Sequence, residues 1–287
     1  MFTVKWDSFQ YSSSRFGLWR MIFGFYLVYY HLALLPYGTE LYSGEGPYPF
    51  VEAIASRFSF FPRSLLQFDS PTTVSAMLVI CAVLSVLILI GFFRRSAALL
   101  LYLLTLWFFN RNPATDSPDY EFINWLILAC VFIPVGERYS IGKKDERWEL
   151  PTAFYWGAWI LLGFAYFYSG SSKFAGHDPS WMNGSALFYV LNNDNSRKLW
   201  YGDFFNWWPQ FIWPILTYSA LFVQTLSLVW MSIRRIRPFW WVLATSTHIL
   251  LLFFVNLEEL TLGLILFHLF IFDETWLKPQ FWKSLKG

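Results

Sequence analysis

Eight stretches of this sequence, near residues 16–36, 74–93, 95–110, 121–136, 152–169, 211–233, 239–256 and 259–273, are apolar and nearly free of charge. A helix needs about 20 such residues to cross a bilayer. The third, fourth and eighth runs are short for that, so their assignment rests on the charges between them. The whole chain has 287 residues, of which 56% are hydrophobic and 14% charged. A soluble domain carries roughly 25% charged residues, so this composition leaves too little polar surface to cover a water-soluble fold. Aromatic residues reach 23%, with 17 tryptophans, as expected where rings line membrane–water interfaces. These features predict an all-α, polytopic transmembrane helical bundle of about eight spans, with interfacial or re-entrant helices on its outer side.

Basic residues set the expected orientation. If all eight runs cross and the N-terminus is cytoplasmic, 15 of the 21 Lys and Arg fall inside and 6 outside. This follows the positive-inside rule. Both termini are then cytoplasmic, in the cell (inner) membrane, with one domain over 1–287. No cleavable signal peptide is expected, because the first run continues for a full span without a small-residue cleavage site. Two outer segments are long. In 37–73 the stretch "FVEAIASRF" reads as a short interfacial helix, and 174–210 mixes aromatic and polar residues in a way that suits a roof over a cavity. The tail "DETWLKPQFWKSLKG" reads as a surface anchor.

Several functions are excluded by pattern. The basic residues are dispersed, so nucleic acid is not an expected partner. Metal-ligand spacings, nucleotide loops and the serine elbow are missing. Cys81 and Cys130 lie deep in apolar runs and read as inert buried thiols. Nor does any inverted repeat support a transporter.

The polar residues that remain are few. Arg111, between Asn110 and Asn112, opens a compact turn with Asp116, Asp119 and Glu121 nearby. It reads either as a structural clamp or as a fork gripping a carboxylate. His248 lies well inside the seventh run and reads first as a core histidine bonded to a neighbouring helix, with Thr245, Ser246 and Thr247 before it as candidate partners for one ring nitrogen. His268 lies equally deep in the eighth. His31 reads as interfacial and His177 as a loop residue. Gln224 is suited to bonding between helices. Glu258 and Glu259 occupy a tight outer turn, where one is free to pair with Lys173 or Arg111. Lys173 follows a Gly-Ser turn on the side with few basic residues, close to Trp181. A lysine half-buried against aromatic walls loses its charge more easily and can act as a base near neutral pH, while a lysine at a helix end also commonly snorkels.

Three segments resemble the HTTM family, the membrane domain shared with vitamin K-dependent gamma-carboxylases. They are "LWRMIFGFYLVYYHLALL" with "LYSGEGPYP", then "FFNRNPATDSPDYEFINWLILACVFIPVGERYS", and above all "YFYSGSSKFAGHDPSWMNGSAL". The last is similar to the family's Tyr-x-x-x-Gly-x-x-Lys and Trp-x-x-Gly. The resemblance implies that Lys173 is the base that deprotonates a vitamin K-type quinol (menaquinol), and that His248 holds the quinone oxygen. Arg111, Asn112, Asp119, Trp181 and Glu258 are the expected substrate-binding residues around them. Two departures point away from peptide carboxylation: Ser172 stands where the animal enzymes carry a second lysine, and 113–120 holds no histidine. The chain also ends soon after the eighth run, without a large soluble region. The expected function is an enzyme acting on a quinone-like or lipidic substrate, in a carboxylase-like lyase or oxidoreductase reaction. The alternative is a non-catalytic membrane factor for maturation or export of a secreted peptide.

Overall fold

The computed structural model describes residues 11–46, 61–115, 119–176 and 178–278. It is all-helical, and a helix forms over each of the eight apolar runs. In chain order these are α1 (Ser13–Leu34), α3 (Pro71–Ile90), α4 (Arg94–Arg111), α5 (Asp119–Phe132), α6 (Thr152–Ala175), the pair α9 (Ile212–Thr225) and α10 (Ser227–Ser232), α11 (Arg237–Phe254) and α12 (Glu258–Ile271). Among the described residues three shorter helices, α2 (Gly38–Tyr42), α7 (Pro179–Met182) and α8 (Ala186–Asn192), lie in the two long connections. Among the described residues one helix, α3, is long and apolar enough to cross a membrane by its length and composition. The stretch 50–58, read as interfacial, lies outside the described residues, as does 279–287.

Two compact units divide the chain, 1–154 and 155–287. In the first, α1 and α3 pack closely because Gly24 lets the backbones meet. A Cβ on Gly24 would lie 2.4 Å from the Leu89 Cα. Small residues at such crossings let helix backbones approach closely. Helix α3 starts with Ser70 capping the Thr73 amide at 3.2 Å and Pro71 in the first turn. It stops at Gly91, whose φ of +70° supplies the left-handed cap that ends a helix.

Beside that cap lies a buried charge cluster. Glu137 pairs with Arg20 at 2.9 Å and with Arg94 at 3.2 Å, and all three side chains are at most 1% exposed. The guanidinium groups also cover carbonyls at neighbouring helix ends. Arg20 donates to Ile88 at 2.7 Å and Tyr139 at 2.9 Å, and also to Leu89; Arg94 donates to Ile133 at 3.0 Å and also to Cys130. Helix C-terminal carbonyls carry partial negative charge and lack intrahelical partners, so arginines are well placed there. Cys81 and Cys130 are both buried and free.

The second unit is built on one face of α6. Tyr155, Ala158, Trp159, Leu162, Gly163, Tyr166 and Gly170 are buried at helical spacing. The α9–α10 pair packs on the glycines of that face: Ser227 Oγ donates to the Gly163 carbonyl at 2.8 Å, and a Cβ on Gly170 would lie 2.6 Å from the Thr225 nitrogen. The run over 211–233 is therefore one apolar segment but two helices, interrupted at Leu226. The connection after α8 is pinned to the end of α11 by an antiparallel bridge between Arg197 and Val255, with Lys198 N–H donating to the Phe254 carbonyl at 3.0 Å. Trp276, read as part of a surface anchor, is instead buried, its ring 5.6 Å from that of Phe272 and 6.3 Å from that of Trp159.

Candidate functional site

Lys173 sits in the last turn of α6, which runs on to Ala175. The reading of a Gly-Ser turn ahead of the lysine is therefore corrected: Gly170, Ser171 and Ser172 stay helical. The physical reason is the seat that α9 provides. Gly170 accepts the backbone of Thr225 against it, and that contact holds only while the helix continues. The Lys173 ammonium donates to the Ser169 carbonyl at 3.1 Å, to Ser169 Oγ at 2.7 Å and to Gln224 Oε1 at 2.9 Å. Its Nζ also lies 5.0 Å from the centre of the Trp181 ring, within the range of a cation–π contact. No carboxylate pairs with it among the described residues. Burial pulls its pKa below the ordinary lysine value, because a half-dry ammonium with no counter-ion gives up its charge more readily.

Trp181 is held in place by its short helix. Asp178 caps that helix by accepting from the Ser180 amide at 2.9 Å, and Tyr218 Oη donates to the Met182 carbonyl at 2.8 Å. Gly184 then turns the chain with φ +79°, where a Cβ would meet Pro214 at 2.8 Å. Gln224, read from the sequence as suited to bonding between helices, is the residue that reaches from α9 to the amine on α6.

His248 projects from α11 into the interior of the second unit, with Trp240 and Ala244 on the same buried face. Its neighbours in sequence do not hold it. Thr247 Oγ1 bonds back to the Leu243 carbonyl at 2.9 Å, and the ring instead bonds Tyr166 of α6, with His248 Nε2 2.5 Å from Tyr166 Oη. His268 of α12 meets the same hydroxyl at 2.9 Å. Nothing in the sequence pattern marked Tyr166 as their common partner, since its place in an aromatic run made it look like packing. Tyr166 and Lys173 stand seven residues apart on one helix and so face the same side, roughly 10 Å apart along the axis at 1.5 Å per residue.

The other expected residues do different work. Arg111 and Asn112 belong to the first unit. Arg111 Nη2 pairs with Asp69 Oδ2 at 2.8 Å, and Asn112 donates to the Leu41 carbonyl at 2.7 Å. Asp69 comes from the connection before α3, a partner the local carboxylates had obscured. The arrangement is a clamp across α2, α4 and that connection. Asp119 opens α5, but its side chain lies outside the described residues, as does His177. Glu258 pairs with Lys198 at 2.8 Å rather than with Lys173. Burial alone would raise its pKa, but the Lys198 hydrogen bond and charge outweigh this and hold it below the ordinary glutamate value. His31 is not interfacial: it is 2% exposed, with Nδ1 2.7 Å from the Leu27 carbonyl and 3.1 Å from Ser85 Oγ. It lines a cavity of about 30 Å³ in the first unit with Tyr26, Tyr30, Tyr120 and Asn124, room for about one or two waters.

No family model matches the chain, and no solved structure matches it. Among curated proteins it is similar to HERV-H LTR-associating protein 2 of Homo sapiens, with 29% identity over 75 residues. That stretch is 23% of this chain, and the chain covers 18% of the length of that protein. A match of this extent sets no family.

Proposed function

We propose that the chain is a polytopic helical protein of the cell (inner) membrane, of the HTTM kind, whose second unit acts on a quinone-like or lipidic substrate with Lys173 as base. The observation that carries the reading is the state of Lys173: half-buried, bound to three neutral acceptors, beside an indole face, and without a carboxylate among the described residues. A lysine kept for charge alone is better served by water or a counter-ion. As a neutral amine Lys173 keeps two donors, releases one of its three acceptors and turns a lone pair toward a substrate hydroxyl. That proton then passes to Nζ and restores the ammonium. Trp181 offers a flat wall beside the amine, which suits a planar ring such as that of a vitamin K-type quinol.

The membrane part of the reading is supported by an inverted distribution of polarity. Arg20, Arg94, Arg111, Glu137, His31, His248 and His268 are buried, while α3 turns Val79, Ile80 and Val83 outward and α11 turns Val242, Leu250 and Phe253 outward. Such apolar exterior stripes suit lipid rather than water, and ionisable groups inside a bundle are the membrane pattern. The excess of basic residues on one side supports eight crossings with both ends inside.

The test is a fluorescence titration of detergent-purified protein with reduced and oxidised naphthoquinones, using the native tryptophans as reporters. Wild type is expected to bind saturably, and Lys173→Gln and His248→Ala more weakly. Absence of saturable binding, or binding indifferent to both substitutions, would remove the quinone reading. A second reading, a factor for a secreted peptide, is favoured by one surface: Leu199, Trp200, Phe204, Trp207 and Phe211 are all more than half exposed on the connection between α8 and α9. Peptide maturation that survives Lys173→Gln but fails when Trp207 and Phe211 become serine would select it.

A further inference from the structure

We propose that Tyr166, His248 and His268 form a buried proton relay, in which the two imidazoles hold opposite tautomers and a proton taken up at one Nδ1 is released from the other. The inference concerns this network alone and holds whether or not the substrate is a quinone.

Hydrogen-bond counting carries it. The three side chains come from α6, α11 and α12 and are all buried, with His268 fully so. Both Nε2 atoms address one phenol oxygen, at 2.5 Å from His248 and 2.9 Å from His268. A phenol has one proton to donate and otherwise accepts. It can donate to one Nε2 and accept from the other. In the neutral network one imidazole is therefore protonated at Nδ1 and the other at Nε2. The two Nδ1 atoms are then one donor and one acceptor.

Neither Nδ1 has a partner among the described residues. Buried imidazole nitrogens are normally satisfied, so two orphans on one network mark a place for a further polar partner. A partner that serves both is a proton-carrying species with a donor and an acceptor: water, or the hydroxyl of a ligand. The unpartnered row continues on the same helices. Thr245 Oγ1, about one turn from His248, and Thr261 Oγ1, two turns from His268, are likewise buried and without partners. Walls of Trp240, 5.1 Å from the Tyr166 ring and 5.7 Å from that of His268, exclude bulk solvent.

The transfer balances without any other reactant. A proton from a water or ligand hydroxyl adds to the Nδ1 lone pair of the first imidazole. Its Nε2 proton moves to the phenol oxygen, and the phenol proton moves to Nε2 of the second imidazole. The second imidazole then loses its Nδ1 proton to the next acceptor. One proton has moved, both tautomers have exchanged and the phenol is regenerated. Tyr166 is the obligatory link, because Phe at that position leaves the imidazoles with no common atom.

The experiment is nitrogen-15 NMR of the full chain labelled at histidine, with His31→Gln and His177→Gln variants to assign the remaining pair. The wild-type pair is expected to show one Nδ1-protonated and one Nε2-protonated ring, joined by exchange signals between the two arrangements. Tyr166→Phe is expected to abolish the exchange, and both rings then adopt the same tautomer. Two identical tautomers in the wild type, a permanent imidazolium, or complementary rings with no exchange would each overturn the relay. The wild-type spectrum decides this even if Tyr166→Phe does not fold, and none of these outcomes depends on quinone binding.

Discussion

At the residue scale, three charged side chains define what is unusual about the interior. Glu137 faces two arginines in a space with no solvent. Glu137→Gln leaves both guanidinium groups without their counter-charge while keeping the side-chain volume, and breaking a buried pair in this way costs about 3–5 kcal/mol. The expected result is loss of folded protein in detergent, read as a large drop in the thermal midpoint. Replacing the exposed partner in the Lys198–Glu258 pair should change it little, since such surface pairs contribute about 0–1 kcal/mol. Lys173 adds a pH-dependent term. Its folded-state pKa lies below the unfolded value of 10.5, so between the two values the unfolded chain binds more protons and stability rises with pH. That contribution is missing below the folded pKa and complete above the unfolded one. Thermal unfolding followed from neutral pH to about pH 10.5 should show this rise in wild type and a flatter profile in Lys173→Gln. Charge counting places Arg20 and Arg94 among the inner-side basic residues and gives them no partner. The structure buries them, because a neighbouring helix end and a loop glutamate supply partners that sequence order does not reveal. Tyr166 was hidden for the same reason: its two histidine partners lie 82 and 102 residues away.

At the scale of elements, the apolar runs were legible because length and lack of charge are local properties. Every run became helical, and Gly91 and Ser70 mark ends of α3 that their residue types anticipate. What the runs could not carry was where a helix breaks or continues. Gly170, Ser171 and Ser172 look like a turn but remain helical against α9, while the unbroken apolar stretch over 211–233 is split at Leu226. Both outcomes are decided by the contact between α6 and the α9–α10 pair. Gly170→Ala tests that contact, because its new Cβ would fall 2.6 Å from Thr225 N and 2.9 Å from Gln224 Cβ. Overpacking of this kind costs typically 1–3 kcal/mol. It also moves Gln224 off the Lys173 amine, so the expected outcome is a lower thermal midpoint together with weaker naphthoquinone binding than in wild type. A variant that loses stability but binds normally would separate the packing role of Gly170 from the support of Lys173.

At the scale of the molecule, the decisive property is what the outer surface is made for. In water, apolar side chains turn inward and charged ones outward; here Arg20, Arg94, Arg111 and Glu137 are covered while the flanks of the long helices are aliphatic and aromatic. Val83 on α3 puts the question in its simplest form. It is 54% exposed, on the outward side of a helix whose length and composition suffice for a crossing. If that side faces water, Val83→Arg is a surface change worth at most about 0.5 kcal/mol in either direction. If it faces lipid, the guanidinium sits near the middle of a span, where insertion costs roughly 2.5–3.5 kcal/mol. The expected outcome is failure of membrane integration, seen as loss of carbonate-resistant protein, with a control in Val83→Leu that integrates as wild type does. An arginine tolerated at full yield would mean that the apolar flank of α3 is covered by protein, and the inverted polarity would then describe an interface rather than a bilayer contact.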